Sequence, residues 1–430
     1  MKNLLIVESP TKVKSIEKFL GNEYKVLASV GHVRDLVATG KKGINVENGY
    51  EPVWKVSNDK KEILADIKKY SEIAESVYFA TDPDREGEAI SKHIFDILNK
   101  SKLLTNKKIY RIAFNEITKN AVLEAIKNPR EISDNLWNAY LARRTLDYLM
   151  GYDISEFLWK KVSRDARAGR VQSPALRLIV EREKIISEFK PVEFWITNAT
   201  LCKDSDCITA ELISVDGEKI KKDNITSVKS EAEAKIIKND IESNNKTKIE
   251  SIKSSERKNK PRAPFTTASL QQTAYTTLGF SVRQTSSIAQ KLYQGISIED
   301  EGLTGLITYM RTDSTNLSVD HLNEIKDYLN EKHPKYTPKE FRKYANKVKN
   351  AQEAHEAIRP TSIFNTPEKI KKYLDQNEFK LYDLIWRRTV ASQMTDAIHN
   401  QLTLEMSMND KYIFRFTGSF IKESGFKEVY

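Results

Sequence analysis

Cysteine is almost absent from this 430-residue sequence, which contains only Cys202 and Cys207. A single pair cannot supply the ligand quartet of a zinc ribbon, so a structural zinc site of that kind is excluded for this stretch. Sparing use of cysteine is typical of proteins in a reducing compartment. The sequence therefore predicts a cytoplasmic location.

Long hydrophobic runs are also missing, and so is one nucleotide-binding motif. The apolar residues 4–7 are followed directly by Glu8, a pattern that does not fit a signal peptide. No apolar run approaches the ~20 residues that a membrane-spanning helix needs, so we expect no membrane span. The sequence has no Gly-x-x-x-x-Gly-Lys-Ser/Thr run, so we expect no P-loop and no use of ATP.

Positive charge is in excess and is unevenly spread. Basic residues number 70 and acidic residues 60, which gives a formal net charge of +10. In residues 160–177, six basic side chains accompany a single acid, Asp165. Such a run indicates phosphate contacts more strongly than the overall charge does, although lysine-rich surfaces also serve solubility.

In the first half of the chain the pattern of hydrophobic residues changes twice, from alternating strands and helices to helices and then to strands. Residues 1–135 alternate apolar strands with amphipathic helices, which predicts an α/β domain. Within it, the glycine-punctuated residues 31–58 favour loops that leave the sheet. Residues 132–190 follow a helical pattern, and residues 194–252 indicate strands and one polar helix, with a tight Asp-Gly hairpin turn in residues 213–217.

A basic segment with two prolines and no apolar periodicity, residues 254–264, favours a linker. Helices are predicted after it, with N-caps at Thr266 or Thr267 and at Ser281 and with glycines at their ends. Strand patterns return after Met394.

An acidic turn after a short apolar strand is the most informative motif. The predicted strand, residues 77–80, leads into Asp82, Asp84 and Glu86, and the strand at residues 4–7 ends at Glu8. Open α/β sheets bind ligands at the carboxyl ends of their strands. Carboxylates this close oppose folding unless a cation lies between them, so the motif predicts a site for a hard divalent ion such as Mg²⁺. A solvated acidic turn is the alternative.

A tyrosine and an arginine occur at strand spacing in residues 307–314. If that segment is extended, Tyr309, Arg311 and Asp313 project from one face. A tyrosine hydroxyl, with an ordinary pKa of about 10, is a weak nucleophile unless its phenolate is stabilised. A guanidinium on the same face can do this, or can bind a phosphate. Ordinary packing of a half-buried strand is the alternative.

Two further segments carry candidate groups. His355 and Arg359 would share one face of a helical turn, although a lone histidine more often serves a structural hydrogen bond. Around Gly169, the side chains of Arg167 and Arg170 could clasp a phosphate or could simply begin an exposed helix.

Taken together, six motifs resemble those of the bacterial type IA DNA topoisomerases, in the same order along the chain. They are residues 7–12, 29–36, 82–88, 168–173, 307–314 and 355–360. The resemblance covers essentially the whole chain and is closer to the topoisomerase I branch than to topoisomerase III. It implies an N-terminal Toprim domain, an ATP-independent isomerase, DNA as partner and a nucleoid-associated, monomeric protein.

The resemblance also implies roles for individual residues. Tyr309 matches the nucleophile that forms a 5′-phosphotyrosine with single-stranded DNA, and Arg311 matches the arginine beside it. Glu8 and Lys12 match groups near the leaving 3′ oxygen, and His355 matches a histidine near the scissile site. The residues that match the Mg²⁺ cluster are Glu8, Asp82, Asp84 and Glu86. Those that match DNA contacts are His32, Arg143, Arg144, Asp147, Tyr152, Trp159, Arg167, Ala168, Gly169, Arg170, Val171, Gln172 and Arg311.

By this resemblance the expected fold is a multidomain α/β plus α arrangement with four domains. They are a Toprim domain (1–31 and 59–135), a helical DNA-binding domain (32–58 and 136–190), a β-rich arch (191–265 and 396–430) and a helical domain with the catalytic tyrosine (266–395). In the family the chain continues well past residue 430, so we expect either a fragment or a truncated gene product, in which relaxation of negatively supercoiled DNA is weak or lost.

Two other functions are compatible with part of these signals. Another metal-dependent Toprim enzyme, such as a primase or nuclease, would need the acidic cluster but not Tyr309, Arg311 or the arginine segment. A protein that binds DNA without turnover would need only the basic residues. We therefore expect a topoisomerase.

Overall fold

The computed structural model describes residues 2–38, 42–220, 228–244, 246–299, 302–344 and 356–430. The chain forms two compact units, each assembled from separated stretches of sequence. Unit 1 comprises Met1–Val180, Ala263–Lys332 and Glu340–Val390, and unit 2 comprises Glu181–Arg262, His333–Lys339 and Ala391–Tyr430.

The helices and strands are numbered in chain order. The α-helices of the described residues are α1 Pro10–Leu20, α2 Lys61–Ile73, α3 Arg85–Lys100, α4 Lys119–Lys127, α5 Asp134–Lys161, α6 Gln172–Glu188, α7 Glu231–Asn244, α8 Thr267–Leu278, α9 Val282–Gln294, α10 Val319–Lys332, α11 Pro367–Ile370 and α12 Gln376–Ser392. The strands are β1 Asn3–Val7, β2 Tyr24–Ala28, β3 Arg34–Leu36, β4 Ile44–Asn45, β5 Glu51–Pro52, β6 Trp54–Val56, β7 Ser76–Phe79, β8 Lys108–Arg111, β9 Asn198–Lys203, β10 Asp206–Val215, β11 Glu218–Lys219, β12 Thr247–Asn259, β13 Ile296–Ile298, β14 Gly302–Thr304, β15 Ala397–Met408 and β16 Tyr412–Glu423.

A four-stranded parallel sheet organises the first part of unit 1. Its strand order is β2-β1-β7-β8, and every neighbouring pair is parallel. The central strands are apolar because both faces are covered, and Leu4, Ile6, Val77 and Phe79 have no exposed surface. The α/β prediction for residues 1–135 is confirmed, and the carboxyl ends of β1 and β7 lie side by side.

Short ladders leave this sheet where the glycine-punctuated segment predicts loops. Strand β3 pairs with β6 and β4 pairs with β5, each over two or three residues. Helix α5 follows as a single helix of 28 residues. It continues through Gly151, and an added Cβ there would meet nothing within 4 Å.

The helices of the second part of unit 1 begin and end at the predicted residues. The Thr266 side chain caps α8 in a capping box with Ser269, and Gly279 ends the helix in the left-handed conformation at φ 72°. The Ser281 side chain caps α9 by accepting from the Gln284 amide. These short-range signals fix the two helices that precede the Tyr309 segment.

Unit 2 is built on an antiparallel sheet with the strand order β11-β10-β16-β15-β12, and β9 also pairs with β10. The turn between β10 and β11 is the predicted Asp-Gly hairpin, with Asp216 at φ 50° and Gly217 at φ 84°. Helix α7 covers the sheet through Ile237, which packs with Phe414 and Tyr412. The predicted strands and polar helix of residues 194–252 are confirmed.

The linker prediction for residues 254–264 is wrong for most of its length. Residues up to Asn259 belong to β12, which pairs with β15 over Thr247–Asn259. Nearly every residue of β12 is exposed. With no buried face there is no apolar alternation, so a polar strand of this kind looks like a linker in the sequence.

The helical turn predicted around His355 and Arg359 is also wrong. Residues 356–360 are extended, and Ile358 and Pro360 form isolated bridges with Phe265 and Ile307. Pro360 accounts for this, because a residue that precedes proline is disfavoured in the helical conformation. His355 lies outside the described residues.

The two cysteines form a disulfide across the β9–β10 hairpin, where Cys202 and Cys207 are directly opposed. The backbone ladder of the hairpin pairs the same two strands. Among the described residues, no helix combines the length and the apolar character needed to cross a membrane.

Candidate active site

The acidic turn joins β7 to α3, and its carboxylates are fixed by local hydrogen bonds. Asp84 is the N-cap of α3, and its Oδ1 accepts from the Gly87 amide at 2.8 Å. A Cβ at Gly87 would lie 2.1 Å from the carbonyl oxygen of Asp82, so only glycine allows the turn to close this tightly. The predicted strand, acidic turn and helix are confirmed.

Arg111, at the end of β8, supports this turn from inside the protein. Its guanidinium has no exposed surface and donates to the carbonyl oxygens of Phe79, Thr81 and Asp82 at 3.2, 2.8 and 2.7 Å. It also pairs with Glu88 at 3.0 Å. The sequence reasoning missed both residues, although Glu88 ends the acidic run and Arg111 ends a strand beside it.

The cation between Glu8 and Asp82 is the ammonium of Lys12. Nζ lies 2.5 Å from Oε1 of Glu8 and 2.6 Å from Oδ1 of Asp82, and the Lys12 side chain has no exposed surface. Burial alone would lower the pKa of Lys12, but the charges of Asp82 and Glu8 raise it well above its ordinary value. Burial raises the pKa of Glu8.

Tyr309 meets the acidic turn directly. Its Oη donates to Oδ2 of Asp84 at 2.8 Å, and its side chain is 2% exposed. Burial and the charges of Asp82 and Asp84 raise the pKa of Tyr309, whereas Arg311 opposes the shift. The phenol is therefore neutral in this arrangement, and the nucleophile predicted from residues 307–314 lies at the predicted carboxylates.

Arg311 extends from the same segment into the cavity. Its Nη1 lies 3.8 Å from Oδ2 of Asp84, and its side chain is 60% exposed. The regular extended spacing that the prediction assumed is wrong, because the chain bends at Met310 and Arg311; Ile307 forms an isolated bridge and the segment joins no sheet. The exposed guanidinium is free to contact an anion that enters beside Tyr309.

Tyr293, on α9, is a site residue that the sequence reasoning missed. It is fully buried, and its Oη donates to Oδ1 of Asp82 at 3.2 Å. Its ring meets the Tyr309 ring edge-on, with centroids 5.2 Å apart. No local pattern distinguishes it from an ordinary core residue of an amphipathic helix, so the sequence offered no signal.

Glu86 pairs with a histidine that belongs to an aromatic cluster. Nε2 of His32 lies 3.2 Å from Oε2 of Glu86, and this hydrogen bond lowers the pKa of Glu86. The His32 ring stacks on Tyr140 of α5 at 5.6 Å. A DNA contact predicted from the resemblance thus touches a predicted metal ligand.

The four carboxylates, His32 and Arg311 line one cavity of about 940 Å³, whereas Lys12, Tyr293 and Tyr309 are not among its lining residues. Its lining residues include Glu8, His32, Asp82, Asp84, Glu86, Arg143, Arg311 and Asp313. Among the described residues, no group of three or more histidine, cysteine, aspartate or glutamate side chains is arranged to hold a metal ion. Carboxylate oxygens are nevertheless the donors that Mg²⁺ prefers, and it commonly uses only one or two of them, so the donor set fits this ion.

A second cavity in unit 1, of about 580 Å³, lies along α5 and the start of α6. Most of the predicted DNA contacts line it: Arg144, Asp147, Tyr152, Trp159, Arg167, Ala168, Gly169, Arg170, Val171 and Gln172. Arg170 donates to Asp147 at 2.7 Å, and Arg144 donates to Asp35 at 2.6 Å. The structure therefore brings together residues that lie far apart in the sequence.

Comparison with known proteins agrees with this arrangement. The family model described as DNA topoisomerase matches residues 131–430, and the Toprim domain model matches residues 3–117. The chain therefore belongs to the DNA topoisomerase family and has an N-terminal Toprim domain, a class of domain that generally binds divalent metal. The predicted family and the multidomain α/β plus α fold are confirmed.

Individual relatives are DNA topoisomerase 1 proteins. The chain is 47% identical to that of Xylella fastidiosa, over 100% of its own length and 52% of the relative. It is 46% identical to that of Rickettsia bellii, over 99% of the chain and 53% of the relative. It thus spans about half the length of these relatives.

A solved structure is also similar. Full-length topoisomerase I from Thermotoga maritima superimposes with a TM-score of 0.83 at 37% identity, covering 99% of this chain and 67% of that one.

Proposed function

We propose that this chain cleaves and reseals one strand of DNA as a type IA DNA topoisomerase, with Tyr309 as the nucleophile. The hydrogen bond between Tyr309 and Asp84 is the observation that carries the proposal, because it joins a phenol to a carboxylate cluster. In the family reaction the break permits strand passage and relaxes negatively supercoiled DNA. We propose that the cleavage and resealing carried out by this chain, without ATP, are steps of that same reaction.

In the cleavage step, Oη of Tyr309 attacks the phosphorus of a backbone phosphodiester. The bond from phosphorus to the 3′ oxygen breaks, which leaves a 5′-phosphotyrosine ester and a free 3′ hydroxyl. Asp84 accepts the hydrogen bond of the attacking hydroxyl and is therefore placed to receive its proton. The phosphotyrosine ester conserves the energy of the cleaved phosphodiester bond. Attack by the 3′ hydroxyl on the ester phosphorus therefore reverses the reaction and releases Tyr309.

The leaving 3′ oxygen needs a proton, and Glu8 is suited to supply it. Glu8 lines the cavity, and burial raises its pKa, so its carboxyl takes up a proton more readily than an ordinary glutamate does. Lys12 has no exposed surface, so it acts by holding Glu8 and Asp82. Arg311 can pair with the scissile phosphate through its exposed guanidinium.

The carboxylates of Glu8, Asp82, Asp84 and Glu86 would hold a divalent ion, which we propose to be Mg²⁺. When bound, the ion supplies positive charge next to phosphate oxygens. In the described arrangement these carboxylates bond to Lys12, Tyr309 and His32. Ion binding and the protein's own hydrogen bonds therefore use the same oxygens.

The second cavity is proposed to bind single-stranded DNA that leads to the cut. His32, Arg143 and Arg311 line the first cavity and the other predicted contacts line the second, so phosphate-binding groups occupy both. We propose that the four predicted domains and His355 serve this reaction, and that the protein works as a monomer in the cytoplasm at the nucleoid.

The test uses single-stranded oligonucleotides labelled at either end, incubated with the chain and then denatured. We expect the 3′ label to stay on the protein, because the 5′-phosphate fragment carries it. Tyr309→Phe should form no adduct and should bind the oligonucleotide as the unaltered chain does. Tyr382→Phe is the control and should form the adduct normally, because Tyr382 is a buried tyrosine that donates a hydrogen bond to the Asn365 carbonyl. If Tyr309→Phe formed an adduct, Tyr309 would be excluded as the nucleophile. Binding without any adduct by the unaltered chain would favour a DNA-binding protein without turnover.

A further inference from the structure

Tyr293 has no part in the reaction proposed above, yet it contacts both halves of the site. Its Oη donates to Oδ1 of Asp82 at 3.2 Å and accepts from Nζ of Lys12 at 3.4 Å. Nζ of Lys12 also lies 5.1 Å from the Tyr293 ring centroid. The same ring meets the Tyr309 ring edge-on. One side chain therefore connects the acidic cluster to the nucleophile.

The Tyr293 hydroxyl lies between two charged groups. The side chain has no exposed surface, and its Oη is within hydrogen-bond distance of both Asp82 and Lys12. A neutral phenol donates one hydrogen bond and accepts others. It can therefore hold the Asp82 carboxylate and the Lys12 ammonium in one fixed arrangement without adding charge.

The backbone around Tyr293 is fixed to the segment that carries Tyr309. The Leu306 amide donates to the Leu292 carbonyl at 2.8 Å. A Cβ at Gly305 would lie 2.8 Å from the Tyr293 carbonyl oxygen, so the two segments approach as closely as glycine allows. The Tyr309 amide in turn donates to the Asn115 carbonyl at 2.7 Å. The backbone contacts and the contact between the two rings therefore both fix the distance between Tyr293 and Tyr309.

We infer that Tyr293 is a positioning residue, whose ring sets the orientation of the Tyr309 ring and whose hydroxyl orients Asp82 and Lys12. The inference rests on the proposed function and extends it to a residue that contacts no substrate. Displacing a reacting atom by ~1 Å can cost about a hundredfold in rate, so a ring that fixes the attacking phenol has a measurable effect.

The experiment compares two variants at Tyr293 with the same two at Tyr382. Both tyrosines are fully buried in unit 1 and donate one hydrogen bond, but Tyr382 donates to the Asn365 carbonyl. For each chain the single-turnover rate of adduct formation, the oligonucleotide affinity and the urea midpoint are measured. Tyr293→Phe should slow adduct formation about fivefold, because one buried hydrogen bond is lost. Tyr293→Leu should slow it about a hundredfold, because the ring is lost as well.

Oligonucleotide affinity should stay within about twofold for both Tyr293 variants, which a general structural defect would not permit. The Tyr382 variants should lose comparable stability while keeping the rate. Equal rates for Tyr293→Phe and Tyr382→Phe would overturn the inference, and this comparison holds even if neither leucine variant folds. A parallel loss of rate and affinity would overturn it as well. If the unaltered chain forms no adduct, the proposed function fails first and the inference fails with it.

Discussion

Glu88 and Arg111 form a 3.0 Å salt bridge in which neither side chain has any exposed surface. Arg130 adds a second pairing to Glu88 at 2.7 Å, and the Ser133 amide donates to the same carboxylate at 2.5 Å. The last carboxylate of the acidic run therefore holds the turn in place, through Arg111, and takes no part in the cavity.

Glu88→Gln should destabilise unit 1 strongly. The change leaves the Arg111 charge buried without its partner, which typically costs about 3–5 kcal/mol in free energy of unfolding. Urea unfolding at neutral pH measures the loss. Glu124→Gln is the matched control, because Glu124 is exposed and its pairing with Lys127 spans 3.9 Å. Its effect should remain within about 0.5 kcal/mol.

The loss of stability caused by Glu88→Gln should depend on pH. Burial would raise the pKa of Glu88, but the hydrogen bond from Arg130 and the charge of Arg111 lower it below its ordinary 4.5. Stability from a lowered carboxyl pKa is present above the unfolded value and is lost as the pH falls through the folded value. The difference between the unaltered chain and Glu88→Gln should therefore shrink below pH 4.5. A difference that stays constant would contradict the assignment.

Gly87→Ala and Gly151→Ala should have opposite effects on stability. The added methyl at Gly87 would lie 2.1 Å from the Asp82 carbonyl oxygen, so the turn must open and adduct formation should fall. At Gly151, inside α5, the methyl meets nothing within 4 Å, and removing a helix glycine should add about 0.5–1 kcal/mol. Thermal unfolding and adduct assays on both variants provide the check. If Gly87→Ala kept the stability and the adduct formation of the unaltered chain, the turn would not be closed as described.

Lys12→Met should make the protein depend on an added cation. Methionine fills similar volume but leaves Glu8 and Asp82 without the ammonium that lies 2.5 and 2.6 Å from them. Mg²⁺ should then raise the melting temperature of the variant more than that of the unaltered chain, because an ion that binds only the folded state stabilises it. Lys100→Met, at an exposed helix end, serves as the control. Equal Mg²⁺ effects in all three chains would show that the ion does not use these carboxylates.

Arg167→Ala should reduce the salt dependence of binding to single-stranded DNA. Arg167 is exposed and lines the second cavity, and each lost phosphate contact should make the log–log slope of affinity against salt about 0.7 less negative. Fluorescence anisotropy over a salt series measures the slope. Lys100→Ala should leave it unchanged. An unaltered slope for Arg167→Ala would mean that this arginine is only solvated.

The parts of the fold that the sequence predicts are those fixed by neighbours in the chain. The caps at Thr266 and Ser281 and the acidic turn before α3 each depend on residues within one helical turn. Tyr309 and the carboxylates were also predicted to meet, but that expectation came from the resemblance and not from local pattern.

What the sequence did not predict depends on contacts between distant residues. Lys12 and Asp82 are 70 positions apart, and Tyr293 and Asp82 are 211 apart. A lysine in an amphipathic helix carries no sign that it will be buried, so the pattern did not predict an ammonium between Glu8 and Asp82. Strand β12 was missed for a related reason, since its exposed faces leave no apolar pattern.

The hydrogen bond from Tyr309 to Asp84 also has a consequence for the protein before DNA binds. A phenol that is 2% exposed and already donating its proton cannot react with a phosphate that merely collides with the surface. In the proposed reaction the DNA strand must uncover the Tyr309 hydroxyl while Asp84 keeps its hydrogen bond, so exposure of the nucleophile and entry of the substrate would be a single event. We would then expect breaks only in strands that have fully entered the site.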